Sequence, residues 1–378
     1  WEVAYVQFFT PIGLFSIGNI PASQAPFGSP YGENAGFSSG VMSWVIAKGP
    51  WTVSVGYKKS TDGYLNTALA GGTPIGAGTD NDSETYSLAT IYRWQTGATA
   101  LYLGDVRSRT NNLPHPGGTM NYTSRKTDIP FMNFWIQQRF GKIFFQEEFG
   151  MVHFGRYVQW NEPFTSYVPA PSVRDVDPDF AISNYIGIDI DLAPAKVGFF
   201  FIFSRGDDPE TMDKKEGGFR QVLDVDRSFN PCLILFNEDY MQWMGANGTG
   251  GATQQAGILG NAGATNGINT YVQNVWMYQL YGDFKVSQKL NIGASFTYAY
   301  ADQKPTHNGY SKAYGGVEFL SDKYGYEADI TLKYKIYDNL EYMLGAAYLW
   351  TGDYFKGTNA NVKLSNNYLL THKLTLTF

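Results

Sequence analysis

The feature that most restricts the fold is strict two-residue alternation, sustained over ten or more residues at a time. Such a period marks β-strands with two unlike faces. In 276–286 one face reads Trp276, Tyr278, Leu280, Gly282, Phe284, Val286, and the other Met277, Gln279, Tyr281, Asp283, Lys285. In 290–301, Leu290, Ile292, Ala294, Phe296, Tyr298 and Tyr300 oppose Asn291, Gly293, Ser295, Thr297, Ala299 and Ala301. In 326–337, Tyr326, Ala328, Ile330, Leu332, Tyr334 and Ile336 oppose Glu327, Asp329, Thr331, Lys333 and Lys335. Trp51, Val53, Val55 and Tyr57 repeat the pattern near the start, and Ile186, Ile188, Ile190 and Leu192 in the middle. Two segments are ambiguous: in 98–108 either face serves as the apolar one, and 197–203 is apolar on both.

Strands of this length exceed the five or six residues usual in globular sheets and suit a tilted membrane-spanning strand. Tyr and Trp cluster at the ends of the apolar stripes (Trp276, Tyr298, Tyr300, Tyr326, Tyr348, Trp350, and earlier Tyr86 and Trp94). Amphipathic rings favour that place at a membrane–water interface. Fifteen strands are predicted, roughly 1–9, 14–20, 38–48, 51–60, 84–94, 98–108, 127–140, 142–157, 179–193, 195–206, 270–286, 288–303, 326–337, 339–352 and 366–378. Their connections alternate between short turns and long segments (21–37, 61–83, 109–126, 158–178, 207–269, 304–325, 353–365). Outer-membrane barrels have this asymmetry, with tight periplasmic turns and long external loops.

The expected fold is therefore all-β: a single transmembrane antiparallel up-and-down β-barrel over 1–378, in a bacterial outer membrane. Strand parity predicts a further strand and a signal peptide before Trp1. That gives about 16 strands, or 18 if Val222–Val225 and Leu233–Phe236 form a hairpin.

Composition closes off other classes. Charged residues make 16% of the chain and aromatics another 16%, too apolar for disorder. Lys+Arg 28 against Asp+Glu 34 argues against a nucleic-acid partner. No apolar run is long enough for a membrane-crossing helix. A single cysteine, Cys232, leaves no internal disulfide and no Cys-rich metal set, and no Cys-x-x-Cys-His attaches a haem. His115, His153, His307 and His372 lack metal-ligand spacing, so neither metal nor cofactor is expected. Asp224 with Asp226, or Asp175 with Asp177, is a weak calcium signal. No nucleophile elbow or phosphate loop occurs, and no enzyme is expected. His153 with Ser183 is the sole hydrolase-like pair on nearby strands.

The chain ends on an amphipathic strand closed by Phe378, with Tyr368, Leu370, Leu374 and Leu376 in step. This terminus resembles the signal read by the barrel-assembly machinery. The run from Lys335 to Gly357 (KIYDNLEYMLGAAYLWTGDYFKG) and the closing strand resemble outer-membrane porins of metal-reducing deltaproteobacteria, loosely related to the alginate-export type. That resemblance implies a porin and carries over no catalytic residue.

Barrels of this size leave a water-filled lumen. The basic residues expected to face it are Lys58, Arg93, Arg107, Arg139, Arg156, Lys285, Lys333, Lys335 and Lys373. The acidic ones are Asp105, Glu148, Asp189, Asp191, Asp283, Glu327, Asp329 and Glu341. The signs nearly balance, which predicts a weakly selective diffusion channel for small hydrophilic solutes and ions. The long segment 207–269 is the expected constriction or plug, with Arg220, Asp224, Asp226 and Arg227 at the eyelet. Glu147 interrupts an apolar face (Ile143, Phe145, Phe149, Met151), which suits burial at a subunit interface. By analogy a homotrimer is expected, in contact with membrane lipid and lipopolysaccharide. Two other functions fit the same fold: a barrel sheath for a multihaem cytochrome, and a substrate-specific channel for anionic sugars or aromatics.

Overall fold

In a computed structural model, the described residues are 4–20, 39–61, 69–70, 73–74, 81–112, 123–153, 157–159, 174–178, 180–206, 208–210, 214–215, 230–237, 272, 274–306, 312 and 316–377. They build one fifteen-stranded antiparallel sheet in which every strand pairs with its neighbour in the chain. The strands are β1 (Ala4–Thr10), β2 (Gly13–Ile20), β3 (Ser39–Lys48), β4 (Trp51–Thr61), β5 (Asn81–Trp94), β6 (Gly97–Asn112), β7 (Thr123–Phe140) and β8 (Ile143–His153). They continue as β9 (Phe180–Leu192), β10 (Ala195–Ser204), β11 (Val275–Lys285), β12 (Leu290–Tyr300), β13 (Lys323–Tyr337), β14 (Leu340–Thr351) and β15 (Asn367–Leu376). All fifteen strands read from the alternation are present in that order, and β1 and β15 are the two edges among the described residues. Short pairings outside the sheet join Leu69–Ala70 to Thr73–Pro74, and Tyr157–Gln159 to Arg174–Pro178 to Lys214–Lys215.

Tight turns close one end of the sheet. Gly49 and Gly141 there adopt positive φ (58° and 59°), the left-handed region that a side chain resists. All the long connections leave from the other end.

Register fixes the two faces. Met277 pairs with Ala299 and Ile202, Thr297 with Glu327, and Glu327 with Leu349, so these share one face. Residues 230–237 pack on it, and it is called inner here. Leu280, Phe296, Ile330 and Leu370 lie on the other, outer face. Burial is inverted relative to a soluble protein. Met277, Thr297 and Glu327 are 0% exposed, whereas Leu280 is 57%, Ile330 50% and Leu370 73% exposed. A row of large apolar side chains left uncovered on one face of a wide sheet requires hydrocarbon as its solvent.

Aromatic pairs border that apolar band. At the turn end Trp51 lies against Tyr92 (ring centroids 4.6 Å apart), which meets Trp94. At the opposite end Tyr298 stacks on Tyr326 (4.7 Å), Trp276 on Tyr300, and Tyr348 contacts Trp350. The ambiguous strand resolves with Ala98, Ala100, Tyr102 and Gly104 inward and Leu101 and Leu103 outward. Small inward residues there make room for Trp135, which is 4% exposed against Ala98 and Ala100.

Candidate functional site

The inner face carries the chemistry. Near the turn end, Arg139 Nη1 bonds Asp191 Oδ2 at 2.7 Å. Asp189 accepts from Lys196 Nζ (3.3 Å) and from the Tyr281 hydroxyl. Asn291 Nδ2 donates to Asp283 Oδ1 (3.0 Å), and Arg93 Nη1 to Thr52 Oγ1 (3.2 Å). By register Lys58, Lys285, Lys333, Lys335, Glu341 and Lys373 also sit on this face. Glu148 is buried there opposite Trp135 and Tyr185. Lys196, Tyr185 and Tyr281 were not singled out as site residues by sequence reasoning, although the alternation already put Tyr281 on the face of Asp283 and Lys285.

Two expectations are corrected. Arg107 and Asp105 share the face of Leu103 and Tyr86, so they lie on the outer side, not the inner. There Arg107 Nε bonds Asp105 Oδ2 at 2.8 Å and its guanidinium lies 5.2 Å from the Tyr86 ring centre. Glu84 accepts from the hydroxyls of Tyr57 and Tyr86. The reason is height. Arg107 stands ten residues beyond the turn-end residue Gly97. At about 3.3 Å per residue and a tilt near 40°, that carries it to the margin of an apolar band roughly 25 Å tall. The correction removes one charge of each sign from the expected inner set, whose near balance is unchanged. Second, Leu233–Phe236 is a turn rather than a strand, so it forms no hairpin in the sheet. Arg156, Arg220, Asp224, Asp226, Arg227, Val222–Val225 and Phe378 lie outside the described residues.

Residues 230–237 form the most organised feature of the inner face. Asn237 Nδ2 donates to the carbonyls of Cys232 (2.9 Å) and Leu233 (3.1 Å), closing a tight loop. Phe236 takes a positive φ of 55° within it. The Glu327 carboxylate accepts both the Ile234 N–H (2.6 Å) and the Leu235 N–H (2.7 Å). Gln279 Nε2 donates to the Pro231 carbonyl (2.6 Å) and to Thr297 Oγ1 (2.8 Å). Apolar side chains complete the seat: Cys232, Leu235 and Phe236 join Phe200, Ile202, Val275, Met277, Ala299, Tyr324 and Leu349 in one buried cluster. This explains why 197–203 is apolar on both faces: Phe200 and Ile202 meet this cluster, Phe199 and Phe201 the outside. Leu233 lies over Gly345, where an added Cβ would approach its Cδ1 to 3.0 Å, so the glycine permits the close contact.

The remaining candidates separate. His153 pairs across to Phe180 on the outer face and Ser183 to Gly150 on the inner, so they cannot form a catalytic couple. Glu147, on the outer face, accepts from Asn184 Nδ2 at 3.2 Å. Asp175 and Asp177 lie on the short strand Arg174–Pro178.

Above the long-connection end, Lys312 ties Glu210 (2.5 Å) to Glu318 (2.9 Å), and Lys304 adds to Glu318 (3.4 Å). The bond from Lys312 holds the Glu318 carboxyl below its usual range, and the bond to Glu210 raises the Lys312 ammonium. A depressed carboxylate stabilises above its unfolded pKa and loses that contribution as pH falls through the folded value. A raised lysine contributes below its unfolded pKa and loses it as pH rises through the folded one. The clasp is therefore strongest between those limits. Protection of the Phe319 amide against hydrogen exchange, relative to its intrinsic rate at each pH, should fall below the ordinary glutamate range, since its N–H bonds the Pro305 carbonyl beside the clasp. Glu318→Gln should remove that acid limb; an unchanged profile would refute the clasp.

An up-and-down antiparallel sheet with an apolar outer face, two aromatic borders and a polar inner face defines the class: a transmembrane β-barrel fold of the outer-membrane type. No family model and no curated protein matches the chain. Among solved structures it is similar to the outer membrane protein opdK of Pseudomonas aeruginosa (13% identity, 90% of this chain, 73% of that chain, TM-score 0.41). It is also similar to OccAB4 of Acinetobacter baumannii (11% identity, 98% and 74%, TM-score 0.40). A third similarity is to the toluene transporter TodX of Pseudomonas putida (10% identity, 82% and 77%, TM-score 0.28).

Proposed function

We propose that this protein is an outer-membrane porin: a water-filled, weakly selective channel for passive diffusion of small hydrophilic solutes and ions. It is a porin of the kind found in metal-reducing deltaproteobacteria, which its C-terminal region resembles. The observation that carries the reading is the inverted burial, which places hydrocarbon outside and polar, mixed-sign side chains inside. In this reading eight basic residues (Lys58, Arg93, Arg139, Lys196, Lys285, Lys333, Lys335, Lys373) share the inner face with seven acidic ones (Glu148, Asp189, Asp191, Asp283, Glu327, Asp329, Glu341), a near balance of sign. Segment 230–237 narrows the passage in this reading. Oppositely charged neighbours such as Arg139 and Asp191 cancel most of each other's field. Reversal potentials across a salt gradient in planar bilayers should fall near zero; near-ideal preference for either ion would overturn the assignment.

The sheath for a multihaem cytochrome is disfavoured by the seated segment, since a sheath must leave its interior to the protein it holds. A channel for anionic sugars would be served by an arginine ladder, whereas Arg93 and Arg139 are interspersed with Asp189 and Asp191. The Glu147–Asn184 pair on the lipid side supports a protomer contact in a homotrimer, which would take that pair out of hydrocarbon.

A further inference from the structure

One group of side chains on the inner face has more negative charge than the seating of segment 230–237 uses. Cys232, Glu327 and Asp329 come together there, each offering a ligand atom within 4.8 Å of the others. Cys232 is 3% exposed, Glu327 0% and Asp329 9%. Two carboxylates buried this closely cannot both carry charge without a counterion, because the field between like charges is poorly screened away from water. Among the described residues no lysine or arginine forms an ion pair with either. The partners that are present leave a gap. Glu327 accepts the two N–H groups of Ile234 and Leu235. Asp329 Oδ2 accepts from Ser295 Oγ (3.0 Å), whereas Asp329 Oδ1 is buried with no hydrogen-bond partner. A buried carboxylate oxygen left unsatisfied is costly and calls for a proton or a metal. Cys232 Sγ stands beside Thr297 Oγ1 (3.4 Å) and Gln279 Nε2 (3.7 Å), two groups able to donate to a thiolate.

We propose that Cys232, Glu327 and Asp329 bind one divalent transition-metal ion, with zinc the best chemical match. One sulfur and two carboxylate oxygens are ligands that zinc takes at about 2.3 Å and 2.0–2.2 Å. Hard oxygen-only cations such as calcium and magnesium make no use of the thiol. Three protein ligands leave a fourth position for water. As the metal–sulfur bond forms, the Cys232 thiol releases its proton to solvent; no electron changes hands. Glu327 and Asp329 belong to strand β13 and Cys232 to the seated segment, so the ion staples the segment to the wall. This site does not depend on which solutes pass the channel.

The test uses the full chain folded in detergent, stripped with a chelator and titrated with Co2+ as a spectroscopic stand-in for zinc. One equivalent of cobalt should bind, with a thiolate-to-cobalt charge-transfer band that Zn2+ abolishes by displacement. Cys232→Ser should lose the band. Asp329→Asn, which keeps the side chain's size and its Ser295 contact, should weaken cobalt binding at least ~10-fold, in line with what loss of a supporting group costs at metal sites. Heat-dependent gel migration checks that each variant is folded. If Glu327→Gln does not fold, Asp329→Asn alone decides. Absence of the band in the folded wild-type protein overturns the proposal and leaves the two carboxylates sharing a proton. A band of unchanged affinity in Asp329→Asn overturns it equally.

Discussion

Leu332→Arg should destabilise the folded protein in lipid by about 2–4 kcal/mol, whereas Thr331→Arg, one position away, should fold nearly normally. Leu332 pairs with Ile292 and Leu344 on the outer face. An arginine there must place its guanidinium in hydrocarbon or distort the bilayer to reach water. Thr331 pairs with Gly293 and Gly345 on the inner face, away from hydrocarbon, and Asp329 stands two residues away. A loss of ~2–4 kcal/mol is roughly a 30- to 1,000-fold change in the folding equilibrium. Denaturant titration in lipid vesicles reads it directly. Equal behaviour of the two variants would mean that the faces are assigned wrongly. The same pair separates function from stability: Thr331→Arg should move the reversal potential towards anions, and Leu332→Arg should not.

Glu327→Ala should have the second large effect, and on a different observable. Removing the carboxylate leaves the N–H groups of Ile234 and Leu235 buried without acceptors, at about 1–3 kcal/mol each. Water can satisfy them only if the segment lifts from the wall. The expected outcome is a folded sheet with a detached segment, larger single-channel conductance and more frequent switching between levels. Deleting 218–240 should reproduce the higher conductance without the switching. Glu327→Gln retains one carbonyl acceptor and should fall between the wild type and Glu327→Ala. Unaltered conductance in both Glu327→Ala and the deletion would show that the segment does not narrow the passage.

How much of this was legible in the sequence differs from element to element. The strands were, because hydrocarbon on one side and water on the other impose a two-residue period that no turn chemistry overrides. Residues 290–301 and 326–337 carry that period undisturbed, and β12 and β13 lie within a few residues of the predicted limits. Arg107 shows where the period fails. Alternation says which face a residue takes relative to its neighbours, but not where the apolar band ends. A polar residue beyond that height is at home on either face. Phe200 and Ile202 show the converse, an inner face made apolar by a segment far away in the sequence. The grouping of Cys232 with Glu327 and Asp329 left no trace as spacing, since a tertiary contact across 95 residues has no periodicity. Glu327 was read as a solvated wall charge, and its role as acceptor for two backbone donors required the fold.

The pairing order has a consequence for how such a sheet is made. Among the described residues each strand of the sheet pairs with its immediate predecessor and successor, so thirteen of the fourteen joins close over a hairpin or a loop of modest length. The exception spans Ser204 to Val275, with 70 residues between them. Relative to a two-residue turn, the chain entropy of bringing those ends together is larger by about 3 kcal/mol, from the logarithmic dependence on loop length. Assembly would then run as two halves zippered quickly and joined late, and the contacts of residues 230–237 with strands on both sides of that seam would be what makes the late joining stick.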